Sequence, residues 1–178
     1  MVYKLHKQYR LPGYDYSQSG TYFITVCTKD RECYLGKIVD DKMVLSETGK
    51  VAQMFWQEIP ERFKNIRLDA WVIMPNHVHG ILVVNGPLGG RAVARPPNGG
   101  HSYGGETPGI HPLVKNSISS IINHFKGNVK RYCNKNNIEF AWQARFHDHI
   151  IRNERGLNIR RRYIAANPER WERDRNKE

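Results

Sequence analysis

The chain has little cysteine, few acidic residues and no long apolar run, and each shortage excludes something. Three cysteines in 178 residues, Cys27, Cys33 and Cys133, are an odd number without zinc-finger spacing. They exclude a disulfide framework and read as ordinary thiols of a reducing compartment. No stretch approaches the ~18 consecutive apolar residues of a membrane span, so no membrane partner is expected. The first ten residues, Met1 to Arg10, lack the apolar segment of a secretory signal. A soluble, cytoplasmic and nucleoid-associated protein is the expectation. Acidic residues number 17 against 28 lysines and arginines, for a net charge of +11. Such an excess favours a polyanionic partner, of which nucleic acid is the commonest.

The length suits one domain, 1–178. Thr21 to Thr28 is β-branched and aromatic and predicts a strand. Lys37 to Leu45 is extended and broken by Asp40-Asp41, which predicts a hairpin-like turn. Ser46 is an N-cap candidate. Val51, Met54, Phe55 and Ile59 then recur at helical spacing, with Pro60 as the expected stop. Leu68 to Met74 and Val78 to Val84 read as strands around Pro75-Asn76. Segment 86–113 holds about half of the glycines and prolines, has no periodicity, and is expected to be a flexible insertion.

From Lys115 to Asn134, Ile118, Ile121, Ile122, Phe125 and Val129 form one apolar stripe of an amphipathic helix. Its exposed side carries Lys126, Lys130 and Arg131. Ile138 to Phe146 supplies a short strand and a loop, and Leu157 to Ala166 a last, very basic helix. Pro168 limits that helix, and the charged tail from Glu169 is expected to fray. This order of elements implies an α+β domain: a ferredoxin-like or RRM-like antiparallel sheet with helices on one face.

His77-Val78-His79 lies at the start of a strand-like run. Side chains two apart on a strand share a face, so two imidazoles are offered to one metal ion. Imidazole suits zinc, manganese, copper or iron better than magnesium. The alternative is that each ring is a hydrogen-bonded structural histidine. On the last helix Tyr163 and Asn167 are four apart and share a face. An amide oxygen at Asn167 is a third ligand candidate, and the Tyr163 phenol points at the same spot. Packing of Tyr163 on the sheet and a capping role for Asn167 remain the alternatives.

Three motifs in this order, Met74–Ile81, Trp142–Glu154 and Arg162–Trp171, with the opening strand Gly20–Thr28, resemble the single-tyrosine HUH transposases. The likeness is nearest to the REP-associated tyrosine transposases, relatives of the insertion-sequence-200 type, and covers nearly all the chain outside the inserted segment. It implies that His77, His79 and Asn167 ligate Mg²⁺ or Mn²⁺ and that Tyr163 is the nucleophile. It also implies that the helix carrying the tyrosine is the last one. The implied activity is cleavage and rejoining of single-stranded DNA at hairpin or palindromic repeats through a 5′-phosphotyrosine. The implied metal conflicts with the softer ions that imidazoles prefer.

His149 and Asp148 are candidates to orient a ligand or shuttle a proton. Lys126, Lys130, Arg145 and Arg152 are candidates for phosphate contact, and Trp142 and Phe146 for stacking on bases. A homodimer is compatible with the resemblance, because mobile relatives place the tyrosine helix of one subunit in the other subunit's site. Two other functions fit parts of the pattern. A non-catalytic nucleic-acid-binding module has no need of His77, His79 and Tyr163 together. A replication initiator or relaxase of the HUH superfamily is usually longer and lacks the Arg-Tyr-Ile-x-x-Asn-Pro helix.

Overall fold

The computed structural model describes residues 18–86, 117–174 and 176. The expected insertion, 86–113, lies outside the described residues except for Gly86. Strand β1 (Gly20–Cys27) sits at the heart of a four-stranded sheet. It pairs antiparallel with β5 (His77–Val84) on one side and β6 (His147–Ile151) on the other, while β4 (Ile66–Met74) pairs with β5. The spatial order β4-β5-β1-β6 is that of a ferredoxin-like βαββαβ sheet. β2 (Gly36–Val39) and β3 (Lys42–Leu45) form a separate hairpin. Its turn residues, Asp40 and Asp41, have φ of 48° and 59°, the left-handed pair that a two-residue type I′ turn requires.

Each central strand is covered on both faces, which explains why β1 and β5 read as nearly unbroken apolar runs. Tyr22, Ile24, Val26, Val78, Leu82 and Val84 face α1 (Glu47–Gln57) and α3 (Ile118–Lys135) in the main core. Phe23, Ile81 and Ile151 face the other way and pack with Ile164 of α4 (Glu154–Ala165). Two long helices thus share one face as expected, and the tyrosine helix lies across the opposite one.

Ser46 caps α1 by accepting a bond from the Gly49 amide at 3.0 Å. The expected apolar stripe of this helix needs correction. Met54 is 42% exposed, whereas Trp56 is fully buried. α1 ends at Gln57, and Pro60 does not stop it but opens a short helix α2 (Ile59–Arg62). In a first turn the missing proline N–H has no bond to lose. Trp56 reaches the core because Gly80 leaves it room. A Cβ on Gly80 would stand 2.2 Å from Trp56 Cζ2. Gly80→Ala is therefore expected to destabilise the protein by about 1–3 kcal/mol or more, the usual overpacking cost, measured as a fall in urea midpoint. An unchanged midpoint would show that Trp56 moves freely.

α3 buries the predicted stripe of Ile118, Ile121, Ile122, Phe125 and Val129, and adds Cys133. Two of its lysines bond within the fold. Lys126 Nζ donates to the carbonyls of Gln143 and Ala144 at 2.5 and 3.2 Å, and Lys130 Nζ to that of Phe140 at 2.5 Å. They tie the loop before β6 to the helical layer, on the side of the sheet away from the histidines. Trp142 and Phe146 pack against the same core. The segment expected to supply a strand makes a single bridge, Thr28 to Trp142, and the strand forms one segment later as β6. The tail is ordered further than its charge suggests. Pro168–Arg173 forms a 3₁₀ helix and Trp171 is buried. No helix among the described residues is long and apolar enough to cross a membrane.

Candidate metal centre and nucleophile

β5 starts directly after the Pro75-Asn76 turn, so its first and third residues, His77 and His79, point to the α4 side of the sheet. Both are fully buried, with ring centroids 4.4 Å apart. Phe23 stacks on His79 at 5.2 Å and Trp171 on His77 at 6.2 Å.

The hydrogen bonds fix which nitrogen of each ring is offered. Asn76 Nδ2 donates to the carbonyls of Arg31 (3.0 Å) and Asn176 (2.7 Å). Its Oδ1 is thereby turned to His77 Nδ1, 2.8 Å away, which must carry the proton. The lone pair of His77 is on Nε2, a buried atom with no hydrogen-bond partner. His79 Nδ1 is engaged by Thr25 Oγ1, a hydroxyl that can donate or accept, at 2.8 Å, and its Nε2 faces the Tyr163 hydroxyl at 3.3 Å. Metal-binding histidines are oriented by such bonds from the other ring nitrogen. Burial, with the nearby Arg31 charge, lowers the His77 pKa to about 3. The ring is neutral at physiological pH, as a ligand must be.

The donor set fits a divalent ion. His77, His79 and Asp174 each bring a ligand atom, all within 4.8 Å of one another. Asn167 is 2% exposed, and its Oδ1 is buried without a hydrogen-bond partner. It lies beyond α4, where its N–H bonds Ile164 O at 3.2 Å in a tighter turn than the expected α-helical one. It still lines one cavity of about 660 Å³ with Tyr163, Asp174, Arg160, Arg170 and Arg173. The four principal residues read from the sequence therefore converge: Tyr163 on His79, His79 on His77, and Asn167 beside Tyr163.

The secondary candidates lie beside this site. Asp148 and His149, on β6, line a second cavity of about 390 Å³ with Phe23, Thr25, Arg31, His147, Arg160 and Asn176. The His149 pKa is lowered by partial burial and by Arg160 and Arg152. Arg145 and Arg152 are exposed.

α4 is held in place by a pair that sequence reading missed. The β4–β5 register shifts between Leu68 and Trp71, and within that irregularity Asp69 meets Arg161 of α4. Arg161 Nε and Nη2 donate to the two Asp69 oxygens at 2.7 and 2.8 Å. These bonds hold the Asp69 carboxyl well below the usual carboxylate range. A depressed folded pKa contributes stability that is complete above the ordinary carboxylate value and lost as pH falls toward the folded one. The docking is thus intact at neutral pH. Arg161 is partly exposed, so solvent screens the pair and its contribution to stability is small. Asp69→Ala is expected to slow any reaction of Tyr163 about fivefold and to leave DNA affinity unchanged. Equal rates in single-turnover assays would show that α4 keeps its register without the pair.

With this geometry in view, the likenesses to other proteins have a physical counterpart. No family model matches the chain. Its architecture is that of a solved REP-associated tyrosine transposase bound to a REP hairpin, with a TM-score of 0.60 and 20% identity over 91% of this chain and 74% of the other. This is the fold that the sequence motifs implied. The chain belongs to one family with an uncharacterized protein of Haemophilus influenzae, 36% identical over 174 residues that cover 93% of this chain and 89% of that protein.

Proposed function

We propose that this protein is a metal-dependent transposase or endonuclease that cleaves and rejoins single-stranded DNA through Tyr163. One observation carries most weight: the Tyr163 hydroxyl lies 3.3 Å from His79 Nε2, beside buried, unbonded donors on His77 and Asn167. A lone structural histidine pair needs none of these neighbours. In this reading His77, His79 and Asn167 hold Mg²⁺ or Mn²⁺, which polarises the scissile phosphate and stabilises charge on its oxygens.

A free phenol has a pKa near 10 and is a weak nucleophile at neutral pH, so position must supply much of the rate. Tyr163 stands edge-on to Phe23 at 6.1 Å, and the Asp69–Arg161 pair fixes its helix. Its oxygen attacks phosphorus; the Tyr–O–P bond forms, the P–O3′ bond breaks, and the phenolic proton ends on O3′. The product is a 5′-phosphotyrosine and a free 3′-hydroxyl. The phosphodiester energy is retained, so the 3′-hydroxyl reverses the step without ATP.

Arg160, Arg170 and Arg173 line the Tyr163 cavity and Arg31 the neighbouring one, a placement suited to DNA phosphates. The Tyr163 hydroxyl reaches His79 of its own chain, the arrangement a tyrosine acting in cis would use. The solved neighbour is bound to a REP hairpin, and hairpin DNA is the first substrate to try. The test is to incubate labelled single-stranded hairpins with the protein and Mg²⁺ or Mn²⁺, then separate on a denaturing gel. A metal-dependent covalent adduct is expected. Retarded native bands without any adduct, across a panel of hairpins, would identify a binding module.

A further inference from the structure

Asp174 lies in the charged tail, where nothing in the sequence marks it. In the fold its side chain is 2% exposed, and Oδ2 faces His77 Nε2 at 3.6 Å. We propose that Asp174 is a further protein ligand of the ion, supplying a carboxylate oxygen beside the two histidines; the proposal rests on the metal-dependent function above.

Three observations carry it. First, Asp174 Oδ2 is buried without a hydrogen-bond partner, and no lysine or arginine among the described residues pairs with it. A buried carboxylate without a paired lysine or arginine is costly. Second, the 3.6 Å separation is too long for a hydrogen bond but suits a shared ion. Two donors each about 2.1 Å from one metal stand about 3.0–3.6 Å apart at angles of roughly 90–120°.

Third, the carboxylate is aimed by the same network that aims His77. Asp174 Oδ1 accepts from Asn176 N–H at 2.7 Å and Nδ2 at 3.0 Å. The Asn176 carbonyl accepts from Asn76 Nδ2, whose amide oxygen fixes the His77 ring. One amide thus orients both donors, as supporting hydrogen bonds do at metal sites. The carboxylate would also make the donor set harder. Two imidazoles alone favour softer ions, whereas an added carboxylate and the Asn167 amide oxygen supply the hard donors that Mg²⁺ and Mn²⁺ prefer.

The test uses the full chain, stripped with chelator, and Mn²⁺ alone, with free Mn²⁺ followed by electron paramagnetic resonance. Wild type is expected to bind one ion, and Asp174→Ala to bind at least tenfold more weakly. Asp174→Asn keeps an oxygen for Asn176 and is the control for folding; it should melt like apo wild type yet still lose affinity. If wild type binds Mn²⁺ and both variants bind equally well, the assignment of Asp174 fails while the metal-dependent function stands. Tighter binding by Asp174→Ala would show that the tail obstructs the ion, and would overturn the proposal. No binding by wild type would overturn both.

Discussion

Tyr163→Phe is expected to abolish the covalent DNA adduct and to lower strand cleavage by more than about 10³-fold, since the proposed covalent step uses its hydroxyl as the nucleophile. The substitution removes one oxygen and keeps the ring. The edge contact with Phe23 and the packing of α4 remain, so the melting temperature should move by no more than a degree or two. DNA affinity should not change, because the proposed phosphate contacts come from the arginines around the cavity. Rates are to be compared under single turnover with saturating protein, so that binding does not enter. An adduct that persists in Tyr163→Phe would place the nucleophile on another side chain and remove the role assigned to α4.

His77→Ala should also lower cleavage by two to three orders of magnitude, but for a different reason. It removes a ligand and opens the contact between Asp174 and the ring. Fluorescence anisotropy on the same hairpin should show nearly wild-type affinity, since phosphate neutralisation dominates binding. The ratio of the two effects is informative. Lost cleavage with retained binding supports a ligand role. Parallel loss of both would mean that His77, at the start of β5 and under Trp171, is chiefly a structural residue. Raising Mn²⁺ should restore little activity in His77→Ala, because the ring is one of few donors and its neighbours are fixed.

Much of the candidate site was legible because it depends on short spacings. His77 and His79 share a face through strand periodicity alone, and Tyr163 and Asn167 converge although the backbone between them leaves the α-helix after Ala165. What escaped depends on contacts between distant segments. Trp56 rather than Met54 anchors α1 because Gly80, on another strand, makes room for its indole. Lys126 and Lys130 resemble solvated helix charges in sequence, yet loop carbonyls ten to eighteen positions away claim them. Asp69 reads as one more strand charge until the β4 irregularity turns it toward Arg161. Asp174 stands among charges of both signs, and only the buried Trp171 and the Asn76–Asn176 bonds draw it to the histidines. Asn76 alone carried a local signal, as the residue between Pro75 and His77, and its value lies in the hydrogen bonds it makes across the fold.

The central claim is that Tyr163 becomes covalently attached to a DNA 5′-phosphate. It is tested most directly by trapping the protein on a single-stranded hairpin with Mn²⁺, digesting protein and DNA, and sequencing the modified peptide by mass spectrometry. A nucleotide-phosphate adduct on Tyr163, absent when metal is withheld, is the predicted result. An adduct mapped to any other residue, or cleavage that proceeds with no adduct on the protein, would contradict it.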